Sequence, residues 1–398
     1  MYTREGRKMV NRERLAETFE ALVKIDSVSL DERAVCDFIA GIFRVMGAET
    51  EIDEADESLG GNTGNLVVRF KGKGHGEPLL IGAHMDTVTP GSNIKPVLQN
   101  GVFSSEGDTI LGADDKSAVA IIIETVRQVT ESGDGFCPLE LVFTVCEEIG
   151  LKGAKHFDFS RVSARYGYML DASDPAGIVT RAPAANRFEF VVHGKDAHAG
   201  AHPEDGVNAI AVASRAIAKL EPGRVDDATT FNIGGIEGGV ATNIVPPQVR
   251  VTGEARSQRD DALDAITDKI VSVFRETVAE AARKSRHEGV PSVDVHVATD
   301  FKSFFVPSDH PVVQTAMKAA ANLGVELTEK ASGGGSDANI FFQNGITTCV
   351  LGTGMKDMHT VRETVALDDM VRATELLVEI VKCASGWGLK KKRILEIG

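Results

Sequence analysis

The sequence predicts an α/β protein with a mostly parallel central sheet sandwiched by helices, interrupted by an inserted α+β domain of one four-stranded sheet and two helices. Three observations carry this. Dense apolar runs, such as Leu139 to Cys146, read as strands buried on both faces. In both flanks of the chain such runs alternate with helical patterns, as in a largely parallel sheet. From about Ala184 the texture changes to alternating, half-buried strands.

Taken in order, Leu15, Phe19, Leu22 and Val23, then Val35, Phe38, Ile39 and Phe43, recur at helical spacing, with a break at Ile25 to Ser29. Asn65 to Phe70 is a strand. Leu79 to Ala83 is another, and it delivers His84. Ser117 to Gln128 is an apolar helix. Leu139 to Cys146 delivers Glu147 and Glu148, and Tyr168 to Leu170 leads to Asp171. Within the insertion, strands are expected at Arg187 to Val192, Phe231 to Ile233, Val249 to Glu254 and Val293 to Val297. Helices are expected at Val207 to Leu220 and Ala262 to Arg286. Residues 185–297 therefore read as a second domain, and 1–184 with 298–398 as a discontinuous first domain.

With 398 residues, 42% of them apolar and 25% charged, the chain can build a large core. A formal net charge of −15 argues against nucleic acid and against an anionic membrane surface as partners. No apolar run reaches transmembrane length. The charged segment Met1 to Lys8 is not followed by a signal-peptide stretch. The residues before Met9 read as a loose extension, and Lys390 to Arg393 as a solvated basic end. The five cysteines are scattered and form no CxxC pair, which fits a reducing compartment; the expected location is cytoplasmic.

Five segments place histidine or acids at the ends of expected elements: His84-Met85-Asp86, Asp114-Asp115, Glu147-Glu148, Asp171 and His359. In extended chain, residues two apart point the same way, so the Asp86 carboxylate can accept the second ring N–H of His84. Adjacent carboxylates such as Glu147 and Glu148 stay ionised only beside positive charge. Imidazole nitrogen with several carboxylates suits zinc, manganese or cobalt. Two histidines and three to four acids exceed one tetrahedral ion and suit two divalent ions sharing a carboxylate. Such a pair polarises a carbonyl and deprotonates a bridging water, and a glutamate outside the coordination shell can shuttle the proton.

The stretches IGAHMDTVTPG, LGADDKSAVA, VFTVCEEIGLKGA, MLDASDPAGIV, HGKDAHAGAHPEDGVNAI, GGVATNIVP, SGGGSDANIF and MHTVRE run in order along nearly the whole chain. Together they resemble the M20 metallopeptidase family, and most of all its peptidase T-like branch. The resemblance implies a di-metal catalytic domain interrupted by a lid that mediates homodimerisation. It implies that His84, Asp114 and Asp171 hold one metal, most simply zinc, and that Asp114, Glu148 and His359 hold the other. Glu147 becomes the general base and Asp86 the residue that orients His84. The peptide bond between Asp114 and Asp115 is expected to be cis. His198, Asn243 and Arg256 match lid positions that bind substrate, His198 by reaching the partner subunit's site. Arg256 suits a carboxylate because its planar fork pairs bidentately. The loop around Gly333 and Ser336 can present backbone N–H groups.

The resulting expectation is a metallo-exopeptidase, a tripeptide-type aminopeptidase using a metal-bridging hydroxide. The alternative is an amidohydrolase or carboxypeptidase acting on N-acyl amino acids or dipeptides, because SGGGSDANIF is not the glycine loop of peptidase T itself. A nucleotide-binding protein is disfavoured: neither Gly333–Gly335 nor Gly352-Thr353-Gly354 has the spacing of a dinucleotide or Walker loop.

Overall fold

The computed structural model describes residues 10–74, 76–133 and 135–385, so the extension before Met9 and the basic Lys390 to Arg393 cluster lie outside the described residues. The chain divides into two compact units. The larger holds the residues up to Arg181, Phe305–Ser332 and those from Ser336 on; the smaller holds Ala182–Phe304 and Gly333–Gly335.

A nine-stranded sheet is central to the larger unit among the described residues. Its middle is parallel. Leu79–His84 lies between Leu139–Thr144 and Tyr166–Ala172, and the last of these pairs with Thr347–Gly352. Antiparallel strands flank this middle, Leu66–Phe70 beside Leu139–Thr144 and Gly177–Ala182 beside Thr347–Gly352. Every residue of Leu79–His84 and Leu139–Thr144 is buried, the physical reason both read as unbroken apolar runs. Glu140 is the polar exception, and its carboxylate accepts hydrogen bonds from Ser163 N, Ala164 N and Ser163 Oγ. His84, Glu147 and Asp171 come from three neighbouring strands of this parallel middle, at or just beyond their carboxyl ends, where α/β sheets collect their chemistry.

Helix Ala113–Ser132 packs beside Leu79–His84 and against the helices Arg12–Val23 and Leu367–Ala384. The sequence starts this helix at Ser117. Ala113 is the observed start, but Asp114 and Asp115 have non-helical backbone angles, and the bond between them is cis. Glu124, on the same helix, has a fully buried side chain. It is paired with Arg14 (Nε to Oε2, 2.7 Å; Nη2 to Oε1, 2.8 Å) and accepts from Gln128 Nε2. Arg14→Leu removes the cation that is hydrogen-bonded to that carboxylate. We expect a loss of about 3 kcal/mol, the cost of an uncompensated buried charge. The check is the denaturant midpoint of the larger unit.

A four-stranded antiparallel sheet, absent from the sequence reading, joins Pro96–Gln99, Val102–Ser105, Thr364–Ala366 and Met355–Lys356. Its strands are two to four residues long, too short for a periodic signal.

The smaller unit has the expected strand–helix–strand–strand–helix–strand order. Thr229–Gly238, Gln248–Ser257, Ala184–His193 and Ser292–Phe301 form its antiparallel sheet, with the two-residue Gly223–Arg224 added at one edge. Helices Ala209–Ile217 and Asp260–Arg283 pack on the sheet around Phe188, Phe190, Val251, Ile270 and Phe274. The rings of Phe190 and Phe274 stack with centroids 3.9 Å apart. Among the described residues no helix is long and apolar enough to cross a membrane. All five cysteines are free, and four are buried.

Candidate active site

The acids and imidazoles singled out in the sequence meet in the larger unit. His84, the last residue of its strand, puts Nε2 3.1 Å from Asp114 Oδ1. The other Asp114 oxygen is 3.2 Å from His359 Nε2, which also lies 3.0 Å from Glu148 Oε1. Ligand atoms of His84, Asp114 and Glu148 all fall within 4.8 Å of one another, as do those of Asp114, Asp115 and Asp171. Asp114 belongs to both groups.

The neighbouring segments hold these side chains in place. Asp86 is fully buried, and its carboxylate accepts from Glu147 N (2.9 Å), Glu148 N (3.2 Å) and Ser29 Oγ (2.6 Å). It therefore anchors the glutamate doublet. Its relation to His84 differs from the extended-chain expectation: Nδ1 is 2.9 Å from the Asp86 backbone oxygen and 3.4 Å from its carboxylate. The strand ends at His84, and beyond it the two-residue alternation no longer holds. Either contact keeps the Nδ1 proton in place and leaves Nε2 toward Asp114. Cys146, just before the doublet, has a left-handed φ of 54°, and Glu32 Oε1 accepts from its backbone N (3.0 Å).

Sequence reasoning gave no site role to three acids. Asp115 is fully buried, accepts from His84 N (3.2 Å), and keeps Oδ1 without a hydrogen-bond partner. Asp337 accepts from Thr144 Oγ1, and its Oδ1 is also unpartnered and buried. Glu363 accepts from the backbone N–H groups of Leu111, Gly112 and Asp114. Asp115 and Asp337 were visible as members of the ADDK and GGGSD stretches; Glu363 gave no signal beyond its place in MHTVRE.

The electrostatics of this cluster are dominated by buried, mutually repelling carboxyl groups around two imidazoles. Burial pushes Glu147 well above the usual carboxylate range; His84 opposes the rise, while Asp171 and Asp337 add to it. Burial raises Asp171 and Asp115 in the same way, and Glu148 too, although its bond to His359 works against the rise. His359 is pushed up to about 10 by its bonds to Asp114 and Glu148. Burial pulls His84 down, but Asp114 and Asp86 together raise it well above the ordinary imidazole value. Asp114 is lowered: the two imidazoles outweigh its burial. Burial and mutual repulsion oppose charge on most of the acids, while the acids favour charge on the rings, and a field of that sign favours a divalent cation. The donors present, imidazole nitrogen and carboxylate oxygen with two orphaned buried oxygens, fit such cations. Cation binding must therefore expel protons. We expect at least one proton per protein to be released when Zn²⁺ or Co²⁺ is added to the cation-free protein at pH 8, and apparent affinity to rise with pH while His359 still titrates. Calorimetry in buffers of different ionisation enthalpy measures both.

Of the five remaining expected site residues, His198, Asn243, Arg256 and Gly333 lie in the smaller unit and Ser336 in the larger. His198 is exposed, and its Nδ1 accepts from Gly200 N (3.2 Å) and Ala201 N (3.1 Å), so Nε2 carries the ring proton. Asn243 is exposed, and its backbone oxygen accepts from Ala199 N. Arg256 is paired by Glu254 through two bonds of 3.0 Å. Gly333 has open space where a Cβ would stand. Ser336 caps helix Asp337–Gln343 in a box with Asn339.

The family described as Peptidase family M20/M25/M40 matches residues 80–382 of this chain. A Bacillus subtilis (strain 168) relative, named Uncharacterized protein YqjE, is 37% identical over 378 residues, spanning 95% of this chain and 100% of its own. The solved structure of aminopeptidase PepT from Bacillus cereus matches with a TM-score of 0.85 at 37% identity, covering 95% of this chain and 100% of that one. A tripeptidase from Staphylococcus aureus matches with a TM-score of 0.89 at 34% identity and the same coverage. The fold and the acid–imidazole centre define a hydrolase of the metallo-exopeptidase class. Within that class, the chain belongs to peptidase family M20/M25/M40, in its peptidase T-like branch.

Proposed function

We propose that the protein is a di-metal aminopeptidase that cleaves the peptide bond of short peptides, tripeptides foremost, with Glu147 as general base. The observation that carries this reading is the convergence of both imidazoles on Asp114, with the half-buried Glu147 carboxyl close enough to His84 for its charge to act and free of hydrogen bonds among the described residues. The similarity to a PepT aminopeptidase and a tripeptidase supports the substrate class.

In this reading His84, Asp114 and Asp171 would hold one divalent cation, and Asp114, Glu148 and His359 the other. Zinc suits these donors best, with cobalt and manganese as substitutes. When bound, the cations supply Lewis acidity to the scissile carbonyl and acidify a water. Glu147 takes a proton from that water as its oxygen attacks the carbonyl carbon. As the C–N bond breaks, Glu147 returns the proton to the departing amine nitrogen. Asp86 holds the backbone on which Glu147 and Glu148 sit, so the base and its neighbour keep a fixed spacing. In the homodimer, His198 would donate its Nε2–H to the oxyanion in the partner subunit's site, its Nδ1 being taken by Gly200 N and Ala201 N. Asn243 and Arg256 bind the substrate carboxylate, and the loop from Gly333 to Ser336 lines its backbone. The smaller unit acts as the lid and carries the homodimer contact; the larger is catalytic. The protein works in the cytoplasm.

The test is a panel of tripeptides, dipeptides and N-acyl amino acids, assayed with added zinc, cobalt or manganese. Tripeptides are expected to lose their N-terminal residue fastest. Hydrolysis of N-acyl amino acids with tripeptides left intact would replace the aminopeptidase by the amidohydrolase.

A further inference from the structure

Glu363 is 1% exposed, and it spends its carboxylate on the main chain. Oε2 accepts from Leu111 N (2.8 Å) and Gly112 N (2.7 Å), and Oε1 accepts from Asp114 N (2.9 Å). One anion thus spans a turn in which Gly112 has a left-handed φ of 72° and Asp114 a non-helical conformation. Charge-assisted bonds to N–H groups are among the stronger hydrogen bonds, and three converge here. The third donor is the amide of Asp114, the residue whose side chain belongs to both candidate cation groups. Glu363 also sits four residues beyond His359, on a turn closed by Glu363 N donating to Thr360 O (3.0 Å). One short segment therefore carries a candidate ligand and the clamp on the shared ligand. Lys116, on the first turn of the same helix, is fully buried and donates to Ile25 O (2.6 Å), tying that turn to the Ile25 to Ser29 segment.

We propose that Glu363 is a positioning residue for the cation pair: by clamping the Leu111 to Asp114 turn it fixes the Asp114 carboxylate where both cations need it. Glu363 sets how tightly the pair is held, not the rate of bond cleavage once the pair is in place. The inference rests on the reading of Asp114 as the shared ligand.

The experiment compares full-length wild type, Glu363→Gln and Glu363→Asp. Zn²⁺ and Co²⁺ affinities are measured by competition with a chromophoric chelator, alongside the melting temperature of the cation-free proteins. Glu363→Gln keeps the shape but loses the charge, and turns an N–H group toward one of the three donors. Its affinity is expected to fall about 10–100-fold, the range for losing an outer hydrogen-bond partner of a metal ligand. Glu363→Asp retains charge at shorter reach and is expected to fall between the two. The cation-free melting temperature of Glu363→Gln should fall by no more than several degrees, the cost of one mismatched buried donor, and kcat at saturating cation should stay within several-fold. Affinities of both variants within twofold of wild type overturn the inference, as does a lowered cation-free melting temperature with unchanged affinity. If Glu363→Gln does not fold, Glu363→Asp alone decides. Failure of wild type to bind two cations instead removes the underlying reading of the site, so the two failures are distinguishable.

Discussion

Glu147→Ala is expected to lower kcat for peptide hydrolysis about 10²–10⁴-fold, the usual contribution of a general acid–base group. Cation content should remain that of wild type. The reasoning is geometric. Glu147 is half-buried and close enough to His84, Asp171 and Glu148 for their charges to act on its carboxyl. Unlike His359, which also lies outside the two groups of ligand atoms but bonds Asp114 and Glu148, the Glu147 carboxyl bonds none of the expected ligands, so removing it should take away a proton carrier and leave the ligands in place. KM should change little, because the carboxylate acts on water and leaving amine and not on the bound peptide's ends. Glu147→Gln is the sharper companion: it keeps the volume and cannot accept a proton, so it should be as inactive as the alanine variant. Turnover near the wild-type rate in either variant, with cations bound, would falsify the assignment of Glu147 as base. Loss of cations would instead move Glu147 into the ligand set.

Much of this site is readable in one dimension because His84, Glu147, Glu148 and Asp171 follow or end runs that read as buried strands and Asp114 begins a run that reads as a helix. His359, by contrast, sits in a turn and carried no such signal. Leu79 to Ala83 and Leu139 to Cys146 have no polar face, so the first charged residues after them must lie at the sheet's rim. Adjacency in the sheet then brings His84 opposite Thr144, three residues before Glu147. What stayed hidden depends on partners that carry no side-chain signal. Glu363 works through backbone N–H groups, one of them 249 residues away along the chain. No residue-type pattern marks a main-chain donor. Asp115 was read for its cis bond, although its carboxylate faces the His84 amide. The sheet from Pro96 to Ala366 is built of strands too short to alternate, so the turn that seats Glu363 could not be placed either. In the smaller unit, alternation located all four long strands because one face packs against two helices and the other does not. The edge pair Gly223–Arg224 is exposed and left no trace.

Asp114→Ala should empty the site, with cation content falling from two per chain to below one and activity lost with it. Asp114 Oδ1 faces His84 and Oδ2 faces His359, so a single carboxylate joins two imidazoles from segments 275 residues apart (359 less 84). It is also the one residue common to both three-ligand groups. Its removal therefore weakens both cation positions at once, and by more than the roughly 10–100-fold loss expected for an outer partner such as Glu363. Asp171→Ala provides the contrast: Asp171 belongs to one group only, so one cation should be retained with the other lost. Elemental analysis after dialysis distinguishes these outcomes without any assay of turnover. The cation-free Asp114→Ala protein should also show lowered imidazole pKa values, because Asp114 is among the groups that raise both His84 and His359. An NMR titration of the two rings measures this directly. If Asp114→Ala keeps two cations at wild-type affinity, the shared carboxylate is not what joins the pair, and the ligand set must be redrawn around Glu148 and Asp171.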